Sequence, residues 1–119
     1  FVGRAQADFR RIRHIPAVPS VELADLLKKN DVYLTASIND PCSNSVVEAL
    51  TVGLPCAYRK SGGHAELVGN AGLGFDRAEE IPAVLGSIRD RWEELSALIE
   101  IPSIESIAKE YLEVMEVKP

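Results

Sequence analysis

At 119 residues, 46% of them hydrophobic and 26% charged, the chain is long enough for one folded domain or a piece of one, and it is not disordered. Its formal charge of −5 excludes a broad nucleic-acid surface, so no nucleic-acid partner is expected. No apolar run approaches the roughly 20 residues that span a bilayer, and no leader pattern opens the chain. The abrupt start at Phe1-Val2-Gly3 reads as the tail of a strand, so earlier residues are expected elsewhere in a longer protein.

The basic cluster Arg10, Arg11, Arg13 reads as a solvated turn or helix end. Ile12 to Ile15 is a strand candidate, followed by Pro16 and Pro19. Ser20 is placed to cap a helix whose Leu23, Leu26 and Leu27 share a face. Asp31-Val-Tyr-Leu-Thr-Ala-Ser37 reads as a buried strand, and Asn44 to Val52 as a helix with Val46, Val47 and Leu50 on its apolar side, stopped by Gly53 and Pro55. A strand from Pro55 to Arg59, a Ser61-Gly-Gly-His64 turn, a short helix over Ala65 to Val68 and a brief strand over Leu73 to Phe75 follow. Strand and helix alternate with short connections, as βαβ units and a parallel sheet require. From Ile81 to Ile99 apolar residues recur at three or four, which fits one helix or two joined near Arg91. Ser103 can cap a last helix carrying Ile104, Ile107, Tyr111, Leu112 and Met115. Trp92 and Tyr111 read as core anchors, and His64 as a loop residue.

Cys42 and Cys56 have neither C-x-x-C spacing nor a histidine pair beside them, so no metal site is expected. Two unpaired thiols suit a reducing compartment, and the cytoplasm is the expected location. Cys56, within an apolar run, reads as a small core residue.

Chemistry concentrates between Asp40 and Glu48, two carboxylates separated by seven residues across a strand-to-helix junction. Such junctions present free backbone N–H groups and the positive end of a helix dipole to an anion. Open parallel sheets collect ligands at that edge. Two structural alternatives stand beside this reading. Ser45-x-x-Glu48 fits a capping box, and Asp40-Pro41 fits an N-cap followed by proline at the first helical position. The Gly62-Gly63 turn after the next strand could face the same cleft, and carboxylates accept charge-assisted hydrogen bonds from sugar hydroxyls.

The run Leu34-Thr-Ala-Ser37, Asp40-x7-Glu48-Ala-Leu50, Gly53-Leu-Pro55, Ser61-Gly-Gly-x-x-Glu66-Leu-Val68 resembles the carboxy-terminal, donor-binding domain of retaining glycosyltransferases of the GT-B fold, also called glycosyltransferase family 4 or glycosyl transferases group 1. The likeness runs from about Phe1 to Tyr111. It implies a Rossmann-like parallel sheet flanked by helices, with residues 1–119 forming a single partial domain: an α/β core over 1–78 and a helical segment over 79–119.

The resemblance also implies roles. Glu48 matches the glutamate that accepts hydrogen bonds from the nucleotide ribose, and Asp40 the one that contacts the transferred sugar. Cys42, Ser43 and Asn44 fall in the segment that meets the donor sugar and phosphates; Ser45, Gly62 and Gly63 line the cleft. Glu66 fits the pattern with a structural role. Asp40 is one methylene shorter than the usual glutamate, and Cys42-Ser43 stands where the family usually has Phe-Gly, which removes a glycine that permits close backbone approach.

The implied reaction moves a sugar from a UDP- or GDP-type donor to an acceptor hydroxyl with retention, with no cofactor and no obligatory metal. Amides at a helix N-terminus and basic side chains stabilise the departing diphosphate. The family's Arg and Lys pair for that group has no match here, Arg4 being the only basic residue near the first strand, so the pair is expected before Phe1. Arg59 and Lys60 read as solvated. The acceptor, a saccharide or glycolipid, belongs to an amino-terminal domain this chain lacks, so the piece alone is expected to be inactive. Peripheral membrane association would be compatible with the full-length protein. Polysaccharide or glycoconjugate synthesis is the expected setting. The alternatives are a non-catalytic nucleotide-sugar-binding module, or a sugar-nucleotide epimerase or glycogen phosphorylase-like protein of the same architecture.

Overall fold

Three short runs of aromatic, β-branched and small residues pair side by side in a computed structural model that describes residues 1–6 and 9–116. They are β1 (Tyr33–Thr35), β2 (Cys56–Arg59) and β3 (Gly72–Phe75), all parallel, in the order β1-β2-β3. The register sets Tyr33 beside Cys56 and Thr35 beside Tyr58, then Cys56 beside Gly72 and Arg59 beside Phe75. Parallel neighbours need crossovers, and α2 (Asn44–Thr51) and α3 (His64–Val68) supply them. The expected α/β architecture is therefore what the chain adopts.

Side chains alternate across β2 and so feed two cores. On one face Cys56 and Tyr58 pack with Val46, Ala49 and Leu50 of α2 and with Val68 of α3. Leu27 of α1 (Ser20–Leu27) closes the edge of that core. On the other face Ala57 meets Ile88 of α4 (Ile81–Asp90) and Leu95 of α5 (Trp92–Ala97). The two helices are separate, joined at Arg91, whose φ of −118° leaves the helical region. A single turn of 3₁₀ helix, Ala78–Glu80, leads into α4 and had no clear sequence signal.

Several expectations are corrected. Ile12 to Ile15 forms no strand: Ile15 alone makes a parallel bridge, to Val2. Pro16 has no N–H with which to extend the pairing. Ser20 is the first residue of α1 rather than its cap; Pro19, with φ fixed at −59°, holds the cap position. Tyr111 does not anchor a core, since it is 69% exposed, and Trp92 is 37% exposed. Trp92 nonetheless ties α5 to the start of β1, because its Nε1–H donates to the Asp31 carbonyl at 2.7 Å. Ser103 does cap α6 (Ile104–Glu116), its Oγ accepting from the Ser106 amide at 3.1 Å.

Candidate functional site

The loop from Ala36 to Ser43 joins β1 to α2 along the carboxyl ends of the strands, and its shape follows from its turn residues. Asn39 sits at φ +55°, a left-handed conformation that asparagine tolerates better than most residues. Asp40 then folds its carboxylate back on the chain, Oδ1 accepting from the Cys42 amide at 3.2 Å. Neither structural alternative for the junction forms. Ser43 occupies the N-cap position of α2 with no side-chain cap, and its Oγ lies 3.0 Å from that of Ser45. Ser45 therefore makes no capping box with Glu48, and Asp40 lies too far upstream to cap.

A second turn holds this loop from the side. The Gly63 amide donates to the Asp40 carbonyl at 2.9 Å, and the Asn39 amide donates to Ser61 Oγ at 2.9 Å. A Cβ on Gly62 would lie 2.2 Å from the Asp40 oxygen, and one on Gly63 would lie 2.2 Å from the Pro41 oxygen. Gly62 also has φ +61°. Glycines are required here because two backbones touch.

Asp40 is half-buried, Cys42, Asn44, Ser45 and Glu48 are exposed, and Ser43 is buried at 3% exposure. Val46 and Val47 amides both donate to the Ser43 carbonyl, at 3.1 and 3.2 Å. Among the described residues the Asn44 and Ser45 amides find no acceptor, so the start of α2 offers two donors to an anion. The Glu48 carboxylate has no hydrogen-bonding or ionic partner among the described residues, while its carbonyl accepts from the Val52 amide at 3.3 Å. Its side chain lines a groove of about 200 Å³ between α1 and α2, together with Ser20, Leu23, Leu27 and Thr51.

Tyr33, a residue that sequence reasoning treated only as part of a strand, packs half-buried against the core that α2 covers. Burial pushes its phenol above its ordinary range; the Ser45 hydroxyl opposes this, while Cys56, Glu48 and Asp40 add to the rise. The readable signal was alternation along β1, which puts Tyr33 on the same sheet face as Thr35.

Residues 9–90 match the family described as Glycosyl transferases group 1. The chain belongs to that family. No curated protein and no solved structure matches it.

The matched span of this glycosyl transferase group 1 domain runs through α4 and contains Asp40, Glu48, Gly62 and Gly63. Of the remaining candidates, Glu66 is exposed on α3. Lys60 Nζ is engaged by Asp76 at 3.1 Å on the open surface, while Arg59 is half-buried. His64 is not a loop residue: it starts α3 and is fully buried. Cys56 is a core thiol pushed up to about 12 by burial, which leaves it protonated and unreactive at neutral pH. No helix among the described residues is long and apolar enough to cross a membrane.

Proposed function

We propose that this chain is the donor-binding part of a retaining glycosyltransferase that moves a sugar from a UDP- or GDP-type donor to an acceptor hydroxyl in polysaccharide or glycoconjugate synthesis. The observation that carries the reading is the loop from β1 into α2, which carries Asp40 just ahead of the free amides of Asn44 and Ser45, with Glu48 exposed one turn further on. Glu48, exposed and with its carboxylate unpartnered among the described residues, takes the ribose hydroxyls. Asp40 takes a hydroxyl of the transferred sugar through the carboxylate oxygen that Cys42 leaves free. The diphosphate lies against the start of α2, where N–H groups stabilise negative charge as the bond to the sugar breaks. Cys42, Asn44 and Ser45 border it, with Gly62 and Gly63 fixing the loop from behind. The acceptor and the basic partners of the diphosphate come from parts of the protein outside these residues, and the transfer requires no metal.

The test is calorimetric titration of the intact protein with UDP and GDP, alongside a panel of nucleotide sugars with the anomeric configuration of each product recorded. Glu48→Ala is expected to weaken nucleotide binding about 10- to 100-fold, the worth of hydrogen bonds to a charged group. Unchanged affinity in a folded Glu48→Ala protein would remove the ribose contact. An inverted product would remove the retaining assignment, and binding without transfer would make this a nucleotide-sugar-binding module.

A further inference from the structure

We propose that His64 is a positioning residue that sets the Asp40 loop through the Gly62-Gly63 turn; the inference rests on the donor-site reading above. His64 is fully buried, yet only one of its ring nitrogens is used. Nδ1 lies 3.0 Å from the Arg59 carbonyl. A carbonyl can only accept, so Nδ1 carries the hydrogen and Nε2 is left bare, with no partner among the described residues. An apolar ring would fill the same space without leaving a bare nitrogen, so what histidine adds here is the Nδ1–H donor.

That donor closes the base of the turn. Arg59 ends β2 and His64 begins α3, so their hydrogen bond staples the two residues that flank Lys60 to Gly63. The Arg59 carbonyl also accepts from the Ser61 amide at 2.8 Å, which uses both of its lone pairs inside the turn. Tyr58 lies edge-on to the imidazole with ring centroids 6.5 Å apart. From the stapled turn two hydrogen bonds reach across: Gly63 to Asp40, and Asn39 to Ser61. The 2.2 Å that a Cβ on Gly62 or Gly63 would leave shows how little slack the contact has. Movement of the turn therefore moves the Asp40 carbonyl, and with it the carboxylate assigned to the donor sugar.

The test compares His64→Phe, which keeps a ring and loses the donor, with His64→Asn, whose amide can donate from nearly the Nδ1 position. Both are made in the intact protein. In His64→Phe the Gly63 amide is expected to lose about tenfold in hydrogen-exchange protection, and the KM for nucleotide sugar to rise by a similar factor with a smaller change in kcat. His64→Asn is expected to restore most of both. A folded His64→Phe protein with wild-type Gly63 protection and wild-type KM would overturn the proposal. So would a folded His64→Asn protein as impaired as His64→Phe, because ring volume would then be the whole role. Exchange at Gly63 needs no ligand, so it reports on the latch even if Glu48→Ala shows the donor site to be misassigned.

Discussion

Helices α2 and α6 carry the same kind of sequence pattern and meet opposite fates. In α2 the apolar face is largely buried, with Val46 and Ala49 at 0% and Leu50 at 3% exposure and Val47 half-buried beside the groove. In α6 the corresponding stripe stands open, from 38% at Ile107 to 79% at Ile104. Both stripes follow helical spacing, so periodicity says that a face is fit for burial and not what covers it. For α2 the cover is the central strand β2, a crossover neighbour that sequence order itself dictates. Nothing local dictates a cover for α6.

The contrast is tested most severely by matched truncations. Leu50→Ala should cost about 3 kcal/mol of unfolding free energy, as for a leucine removed from a packed core. Leu112→Ala, at 57% exposure, should cost less than about 0.5 kcal/mol. Urea titrations of the two variants give both values, and equal losses would mean that α6 is covered in solution.

Much of the covered region was legible because its signals were local. β2 stood out as an apolar run ended by Arg59 and a Ser-Gly-Gly turn, and α2 as a strong periodic segment stopped by Gly53. β1 is shorter than its β-rich run because only Tyr33 to Thr35 lie beside a partner, a matter of register and not of propensity. The Ser45-x-x-Glu48 pattern satisfied a capping rule, yet Ser43 lies at the cap, since the Asp40 turn fixes where the helix starts. His64 reads as a loop residue in the sequence because its burial and its bond to Arg59 are set by contacts across the fold, which sequence spacing does not show.

Within the covered region the turn that meets the Asp40 loop is the next place to apply pressure. Gly63→Ala forces a Cβ to within 2.2 Å of the Pro41 oxygen, and backbone cannot step aside as a flexible side chain can. A loss of about 2 to 3 kcal/mol is expected from such overpacking, with donor affinity falling in parallel. Calorimetric melting and nucleotide titration of one sample check both. Gly86→Ala, inside α4 with nothing within 4 Å of its Cβ, serves as the control that should leave donor affinity unchanged and raise stability by about 0.5 to 1 kcal/mol.

The buried face also carries an alkaline pH signature. Burial raises the Cys56 thiol from 9.0 to about 12 in the folded chain, so the folded state holds its proton more tightly than the unfolded one. The stabilisation is complete below about pH 9 and disappears as pH rises toward 12. Stability should fall by about 3 kcal/mol between neutral pH and pH 11 from this group alone. Tyr33, raised chiefly by burial, adds a further loss above pH 10. Cys56→Ala should start somewhat lower at neutral pH and decline less steeply. A decline as steep as wild type, followed by urea midpoints across pH, would assign the alkaline weakness to other groups.

The smallest effect concerns two serines that read alike. Ser103 accepts the Ser106 amide and so satisfies one of the orphan donors at the start of α6. Ser20 sits one residue inside α1, after Pro19, and makes no capping bond. Ser103→Ala should therefore lower the stability of α6 by about 1 kcal/mol, while Ser20→Ala should change α1 by only a few tenths. Because α6 is exposed from Ile104 to Met115, its loss need not spread to the sheet. Amide exchange should quicken from Ile104 onward while the β2 amides keep their protection. If the β2 amides quickened as well, α6 would be coupled to the core, and the division between a covered helix and an open one would be wrong.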